Sequence, residues 1–409
     1  MSKNMSITKL ASRLKEIGLE TRIDKNTIFV SVEDDEIALT IDKDFKKTLD
    51  QYFNARGLEY DSELRTLVYG KNRESALTRL SQGYLIKPNY TFTDKSRNTV
   101  IIGSASDLFR ISFFMSEEFQ NYYDILLKRK LEREKKRKSK RIQSFQDILW
   151  NPYTAQYTQY RKIADKEKLK QISHDKIESC LFKLSVDFDE CWEQRKKRKK
   201  VSRWLYDDIE IEEKLTMPNA TYDNNLIKYY KVAKSSKFPS QSFLSYYHVL
   251  EYFFLKVSDE SLYTKVKSCI NETKFETDHK HIDKIIVMVK SHNEQSDETE
   301  MLKNVIAKYV SVDELIDFIN DIEKKAGDQI YTKKRNLFGE QFEIKLNSGH
   351  VVGNTSKVIK HIRNALVHST DKYKREECHL PLTETEYVLE EFIPLIRFLA
   401  ERIIFSTAN

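Results

Sequence analysis

Apolar side chains three and four residues apart open the chain. In SITKLASRLKEIG, Ile7, Leu10, Leu14 and Ile17 fall on one face of a helix. The pattern then changes: TIFVSVEDDEIALTID reads as two β-rich runs around an acidic turn from Glu33 to Glu36, a hairpin. FKKTLDQYFNARG and ESALTRLSQGY return to helical spacing, closed by Gly57 and Gly83, and NTVIIGSASDLFRISFFMS supplies two further strand-like stretches. Residues 1–120 therefore predict a small α+β domain. VIIGSAS holds a single glycine, too few for a loop that cradles phosphates.

From 121 to 221 the pattern is helical and strongly basic. Ten lysines and arginines lie within residues 128–141, and RKKRKK follows at 195–200. Between these runs, WNPYTAQYTQYRK places Trp150, Tyr153, Tyr157 and Tyr160 at helical spacing. Cations interleaved with aromatic rings suit single-stranded nucleic acid, because phosphates meet the charges and bases stack on the rings. Lys135, Arg137, Arg195 and Arg198 are the candidate phosphate contacts. The plainer reading is a solvated basic face around an aromatic core stripe.

Residues 222–409 predict a helical bundle. NNLIKYYKVAKSS and the aromatic SQSFLSYYHVLEYFFLKV flank a break at Pro239. ETEMLKNVIAKYV follows, then SVDELIDFINDIEKKAG, with Ser311 as N-cap, Glu314 in capping-box position and Gly327 at its end. A long insertion over 328–354 precedes TSKVIKHIRNALVHS, where Thr355 or Ser356 is the expected cap, and TETEYVLEEFIPLIRFLAERIIF closes the chain. The fold class expected is mainly α with an α+β N-terminal domain.

Composition narrows the picture. At 409 residues, two or three domains are expected. Charged residues make up 33% against only 9 glycines and 6 prolines, which favours a helix-rich protein over a β-sandwich or a disordered chain. No apolar run reaches the roughly 20 residues of a membrane span, and the polar amphipathic start is unlike a signal peptide. The four cysteines are scattered without a CxxC, so a reducing cytoplasm is expected, with neither a zinc site nor a disulfide framework. His279 and His281 have no further ligand at useful spacing, and no metal or cofactor is implied. The net charge of +7 hides an asymmetry: residues 121–205 hold 24 Lys and Arg against 12 Asp and Glu, leaving the remainder slightly acidic.

One short segment carries candidate chemistry. In KHIRNALVHS, Ile362, Ala365 and Leu366 form an apolar face, and Arg363 and His368 stand five residues apart. RNA cleaves itself when its 2′-OH attacks the adjacent phosphorus. That step needs a proton removed, a proton delivered to the leaving 5′ oxygen, and cationic support for the crowded phosphorane. An imidazole exchanges protons near neutral pH, and a guanidinium offers a permanent planar fork to phosphate oxygens. Asn364 would orient the histidine or a phosphate oxygen, and Lys360 and His361 would line the cleft entrance. Glu251, in the apolar run SYYHVLEYFF, is a candidate supporting group and otherwise a buried partner for a nearby cation. Five helical residues turn about 140° beyond a full circle, so Arg363 and His368 flank the apolar stripe from opposite sides. Two copies of the helix across a two-fold axis would bring two such pairs into one cleft, and a homodimer is expected.

SFLSYYHVLEYFF followed about a hundred residues later by IRNALVH resembles the HEPN superfamily (higher eukaryotes and prokaryotes nucleotide-binding domain), over roughly residues 222–405. The resemblance implies an all-α bundle marked by an R-polar-x-x-x-H motif. It also implies a metal-independent endoribonuclease of bacterial antiphage, abortive-infection or toxin type, with Arg363, Asn364 and His368 as its motif residues. In one variant of that family, silenced by AMPylation, a tyrosine stands two residues after the histidine. Here that position is Thr370 and the nearest tyrosine is Tyr373. By analogy with such effectors, residues 1–221 would hold the nuclease inactive or sense a partner protein or phage trigger. The rival expectation is a dimerising module that binds RNA or DNA without cutting it.

Overall fold

The computed structural model describes residues 5–33, 35–81, 88–136, 142–161, 165–194, 219–294, 297–368 and 378–408. The chain divides into two compact units, Met1–Arg198 and Lys199–Asn409.

In the first unit, α1 (Met5–Glu16) follows the expected spacing and buries Ile7, Leu10 and Leu14. Strands β1 (Thr21–Asp24), β2 (Thr27–Val32) and β3 (Asp35–Thr40) form an antiparallel sheet in that order. Its register pairs Ile28 with Leu39 and Val30 with Ile37, so alternate residues of β2 enter the core beside α1. Helix α2 (Lys43–Asn54) is capped by Asp42, whose carboxylate accepts the Phe45 amide at 2.7 Å.

A second, larger sheet takes in β4 (Glu59–Asp61), β5 (Thr66–Tyr69), β6 (Asn72–Arg79), β7 (Tyr90–Thr93) and β8 (Thr99–Ser104). After α3 (Asp107–Met115), α4 (Glu117–Tyr122), α5 (Asp124–Lys135) and α6 (Phe145–Ile148), the chain returns as β9 (Tyr153–Thr158), α7 (Lys166–Phe188) and β10 (Trp192–Gln194). The order is β4-β5-β6-β9-β8-β7, antiparallel throughout, with β10 pairing β6 beyond the end of β9. Neighbouring residues of each strand serve opposite faces. Leu67 and Ala76 meet Phe109 of α3, whereas Val68 and Leu77 join the cluster under Leu169, Ile177 and Leu181 of α7. Glu74 fastens β6 to β9 and α3: its buried carboxylate accepts the Ser106 amide and hydroxyl at 2.8 and 2.5 Å and the Thr154 hydroxyl at 2.9 Å, and burial pushes its pKa up.

Four expectations are corrected here. ESALTRLSQGY is not a helix over its described part but lies in β6, because β5 and β9 hydrogen-bond both of its edges. The aromatic stretch after Trp150 is not helical either: Tyr153 and Tyr157 belong to β9, with Tyr157 buried in the sheet core. DLFRISFFM is a helix, α3, started by the Ser106 cap and buried on most sides. The boundary expected near residue 120 falls inside the first unit, since β9 is central to its sheet.

The second unit is helical: α8 (Asn224–Ser235), α9 (Pro239–Glu251), α10 (Phe254–Ile270), α11 (His279–Glu294), α12 (Glu298–Tyr309), α13 (Val312–Ala326), α14 (Val351–Val367) and α15 (Thr385–Ser406). Phe243, Tyr246 and Leu250 of α9 share one core with Leu302 and Ile306 of α12, Ile359 and Ile362 of α14, and Leu395 and Leu399 of α15. Ser311 has N-cap geometry but no side-chain bond, so the expected capping box is not formed; Gly327 closes α13 at φ +63°. α14 begins four residues before Thr355. Both Thr355 and Ser356 are buried within it, and the Ser356 hydroxyl donates to the Val352 carbonyl at 2.8 Å instead of capping. The insertion over 328–354 contains a hairpin of β11 (Arg335–Leu337) and β12 (Glu340–Phe342).

Leu181 is buried at the centre of the α7 stripe, while its neighbour Phe182 is 72% exposed. Leu181→Ala is expected to lower unfolding stability by about 2–5 kcal/mol, from lost burial plus the cavity left behind. Phe182→Ala should stay within about 0.5 kcal/mol. Urea denaturation of the two variants checks this directly.

Candidate active site

Helix α14 presents its apolar edge, Val358, Ile359, Ile362 and Ala365, to the bundle core. That orientation sets Lys360, Arg363 and Asn364 along a margin facing α9 and α12. The Arg363 Nε lies 3.4 Å from the Glu298 carboxylate, with 23% and 24% of the two side chains exposed. Its guanidinium carbon stands 5.7 Å from the ring centre of Tyr247, a cation–π distance. Nη1 donates to the Asn364 side-chain oxygen at 3.1 Å. Nη2 makes no hydrogen bond among the described residues.

Tyr247 and Glu298 complete the arrangement from other helices. The Tyr247 hydroxyl donates to the same Glu298 oxygen at 2.7 Å. Burial first, then that bond and the carboxylate charge, push the phenol far above its ordinary value, with Arg363 opposing. Glu298 is the first residue of α12 and Asp297 its cap, so both carboxylates sit at the positive end of the helix dipole. Lys360 pairs with Asp297 and donates to Thr299 Oγ1 at 2.8 Å. This lysine bond holds the Asp297 carboxyl below its usual range.

His368 stands at the C-cap of α14. Its amide donates to the Asn364 carbonyl at 2.9 Å, and its own carbonyl accepts the Cys378 thiol at 3.0 Å. The side chain is exposed, and no hydrogen bond or ion pair joins it to Arg363. The His379 amide donates to the Ala365 carbonyl at 3.0 Å, so residues 378 and 379 clasp the helix end.

The other candidates part company. Lys360 lies in the Arg363 cluster, whereas His361 is held elsewhere: its Nε2 meets the Leu337 carbonyl at 2.8 Å and its ring packs on Phe342. Glu251 is not a buried partner of a cation; it is partly exposed and bonds His248 Nδ1 at 2.9 Å. The carboxylate beside Arg363 is Glu298, which the sequence reading did not nominate. Lys135 is taken up by Glu33 at 2.7 Å. Arg137, Arg195, Arg198, Thr370 and Tyr373 lie outside the described residues. No family model, no curated protein and no solved structure matches this chain.

What the cluster can do follows from its charges. One guanidinium is pinned on three sides with an amino group left over, beside a lysine already neutralised by Asp297. A single phosphate oxygen could be received at Nη2, while fuller engagement requires Glu298 to yield. An exposed imidazole stands about one and a half turns away along the same helix.

The Lys360–Asp297 pair gives a pH signature. A carboxyl depressed by folding adds stability above its unfolded pKa and loses it as pH falls through the folded value. Lys360→Met should therefore cost about 0.2–1 kcal/mol near neutrality. That cost should shrink to nothing below the ordinary value of 3.8. Paired thermal melts of the wild type and Lys360→Met from pH 7 to pH 3 measure the difference.

Proposed function

We propose that the helical unit is a metal-independent endoribonuclease of HEPN type, acting in bacterial antiphage defence or as a toxin in the cytoplasm. The observation that carries this reading is a guanidinium with one unengaged amino group on the same helix as a solvent-facing imidazole. His368 takes the proton from the ribose 2′-OH or returns one to the departing 5′ oxygen. Arg363 gathers the phosphorane charge through Nη2, while Tyr247 and Asn364 hold its plane. Neither step calls for a metal.

A single α14 does not join these two groups, so a second copy must supply the missing partner across the cleft. Helix α11 supports that pairing. None of its described side chains is buried, and Ile282, Ile286 and Val289 are exposed at helical spacing. Its end at Glu294 lies three residues before Asp297, which binds Lys360. A partner covering α11 to its C-terminal end would come within three residues of Asp297 along the chain.

The Glu298 contact favours a second reading, in which the bundle dimerises and binds RNA or DNA without cutting. Cleavage of an RNA substrate in excess EDTA separates the two. The enzyme reading expects 2′,3′-cyclic phosphate ends and a loss of at least about a hundredfold in His368→Ala and Arg363→Ala. Binding without cleavage by the wild type supports the second reading. Glu298→Gln removes the competing carboxylate and should raise phosphate affinity at Arg363. A fall in RNA affinity on that change would contradict the placement of substrate there. Ile282→Lys combined with Ile286→Lys should turn a dimer into a monomer in light scattering and abolish cleavage, whereas His368→Ala should leave the dimer intact.

A further inference from the structure

Away from α14, the first unit carries a cavity of about 490 Å³ that the ribonuclease reading does not use. Its size falls within the roughly 300–1,000 Å³ of small-molecule sites. Three cations of α5, Arg129, Lys130 and Arg133, line it together with Leu126 from the same helix and Ile142 from the chain leading to α6. The helical step explains the convergence: residues 126, 129, 130 and 133 share one stripe.

Arg129 and Arg133 have no ion-pair or hydrogen-bond partner among the described residues. Two carboxylates also line the cavity, but each serves the loop. Glu134 accepts the Ile142 amide at 3.1 Å. Asp147 accepts the amides of Gln143 and Ser144 at 3.2 and 3.0 Å, closing the cap of α6. Lys130 is committed to the Asp147 carbonyl. Two guanidiniums one turn apart repel each other, and neither carboxylate of the cavity forms an ion pair with them among the described residues. Beside them lies apolar surface, Leu126 at 54% exposed and Ile142 at the floor.

Paired guanidinium forks recognise phosphate oxygens, and an adjoining apolar patch suits a planar base. We infer that this groove binds a nucleoside phosphate, with the phosphate on Arg129 and Arg133 and the base against Leu126 and Ile142. The same chemistry is offered by a free nucleotide and by one nucleotide of a single strand. The inference concerns the first unit and does not depend on cleavage at His368.

Full-length protein should be titrated calorimetrically with ATP, with inorganic phosphate and with a ten-nucleotide oligoadenylate. The expected result is ATP binding that weakens about ten- to a hundredfold in Arg129→Ala/Arg133→Ala. It should also weaken in Leu126→Asp and remain unchanged in His368→Ala. All three groove positions are on the surface, so unchanged melting temperatures will show that folding is intact. Oligonucleotide binding that greatly exceeds that of ATP, and is lost in the same variants, assigns the site to a strand. Phosphate binding as tightly as ATP would remove the base from the assignment and overturn it. So would ATP and oligonucleotide affinities that ignore all groove substitutions, or the absence of binding by the wild type.

Discussion

A guanidinium with three-quarters of its surface covered needs a countercharge, because its hydration has been given up. Glu298 provides that charge to Arg363 from the start of α12, at the positive end of the helix dipole. Tyr247 adds a ring face on one side and a hydroxyl to the carboxylate on the other. The margin of α14 is therefore fixed by α9 and α12 at once. Whatever anion meets Arg363 meets a preoriented cation and must compete with an internal acid. On the proposed ribonuclease reading, the ligand must therefore be able to replace a carboxylate, as a phosphodiester can.

Much of the architecture was legible where period and burial agree. α1, the β2–β3 hairpin, α2 and helices α8, α12, α13, α14 and α15 of the second unit follow their apolar spacing, since each buries one face in its unit's core. Sequence reading failed where long-range pairing overrode local preference. Asn72–Arg79 contains Glu, Ala, Leu and Arg, all helix formers, yet as β6 it is bonded to β5, β9 and β10. β5 precedes it by a two-residue turn, but β9 and β10 are remote in sequence, so no local window could announce them. Thr355 and Ser356 misled for the converse reason: cap-type side chains can be buried inside a helix when a hydroxyl bonds back to the preceding turn.

The candidate site divides along the same line. Arg363, Asn364 and His368 could be nominated from their spacing on one helix. Glu298 and Tyr247 could not, because they lie 65 and 116 residues earlier and carry no pattern of their own. The basic middle segment shows how charge counts mislead in detail. Lys135 is spent on the turn acids of the hairpin, while Arg129 and Arg133 remain unpaired among the described residues. A run of like charges says that cations exceed acids; only the fold decides which cations are left over.

The end of α14 raises the remaining physical question, which is how rigidly an exposed imidazole can be aimed. The backbone of His368 is not free: its amide closes the helix, and its carbonyl and that of Ala365 are clasped by Cys378 and His379. His379 is itself buried against Glu386, with its Nδ1 bonded to the Thr385 hydroxyl at 2.9 Å. The clasp therefore anchors to α15 as well as to α14. Only the side-chain torsions of His368 remain to be set, and ordering one short side chain costs far less than ordering a loop. In the dimer proposed above, a second copy would not have to build the site from a loop; it would only have to dock against a helix end whose backbone is already fixed, and bring its own Arg363 margin within reach of that ring.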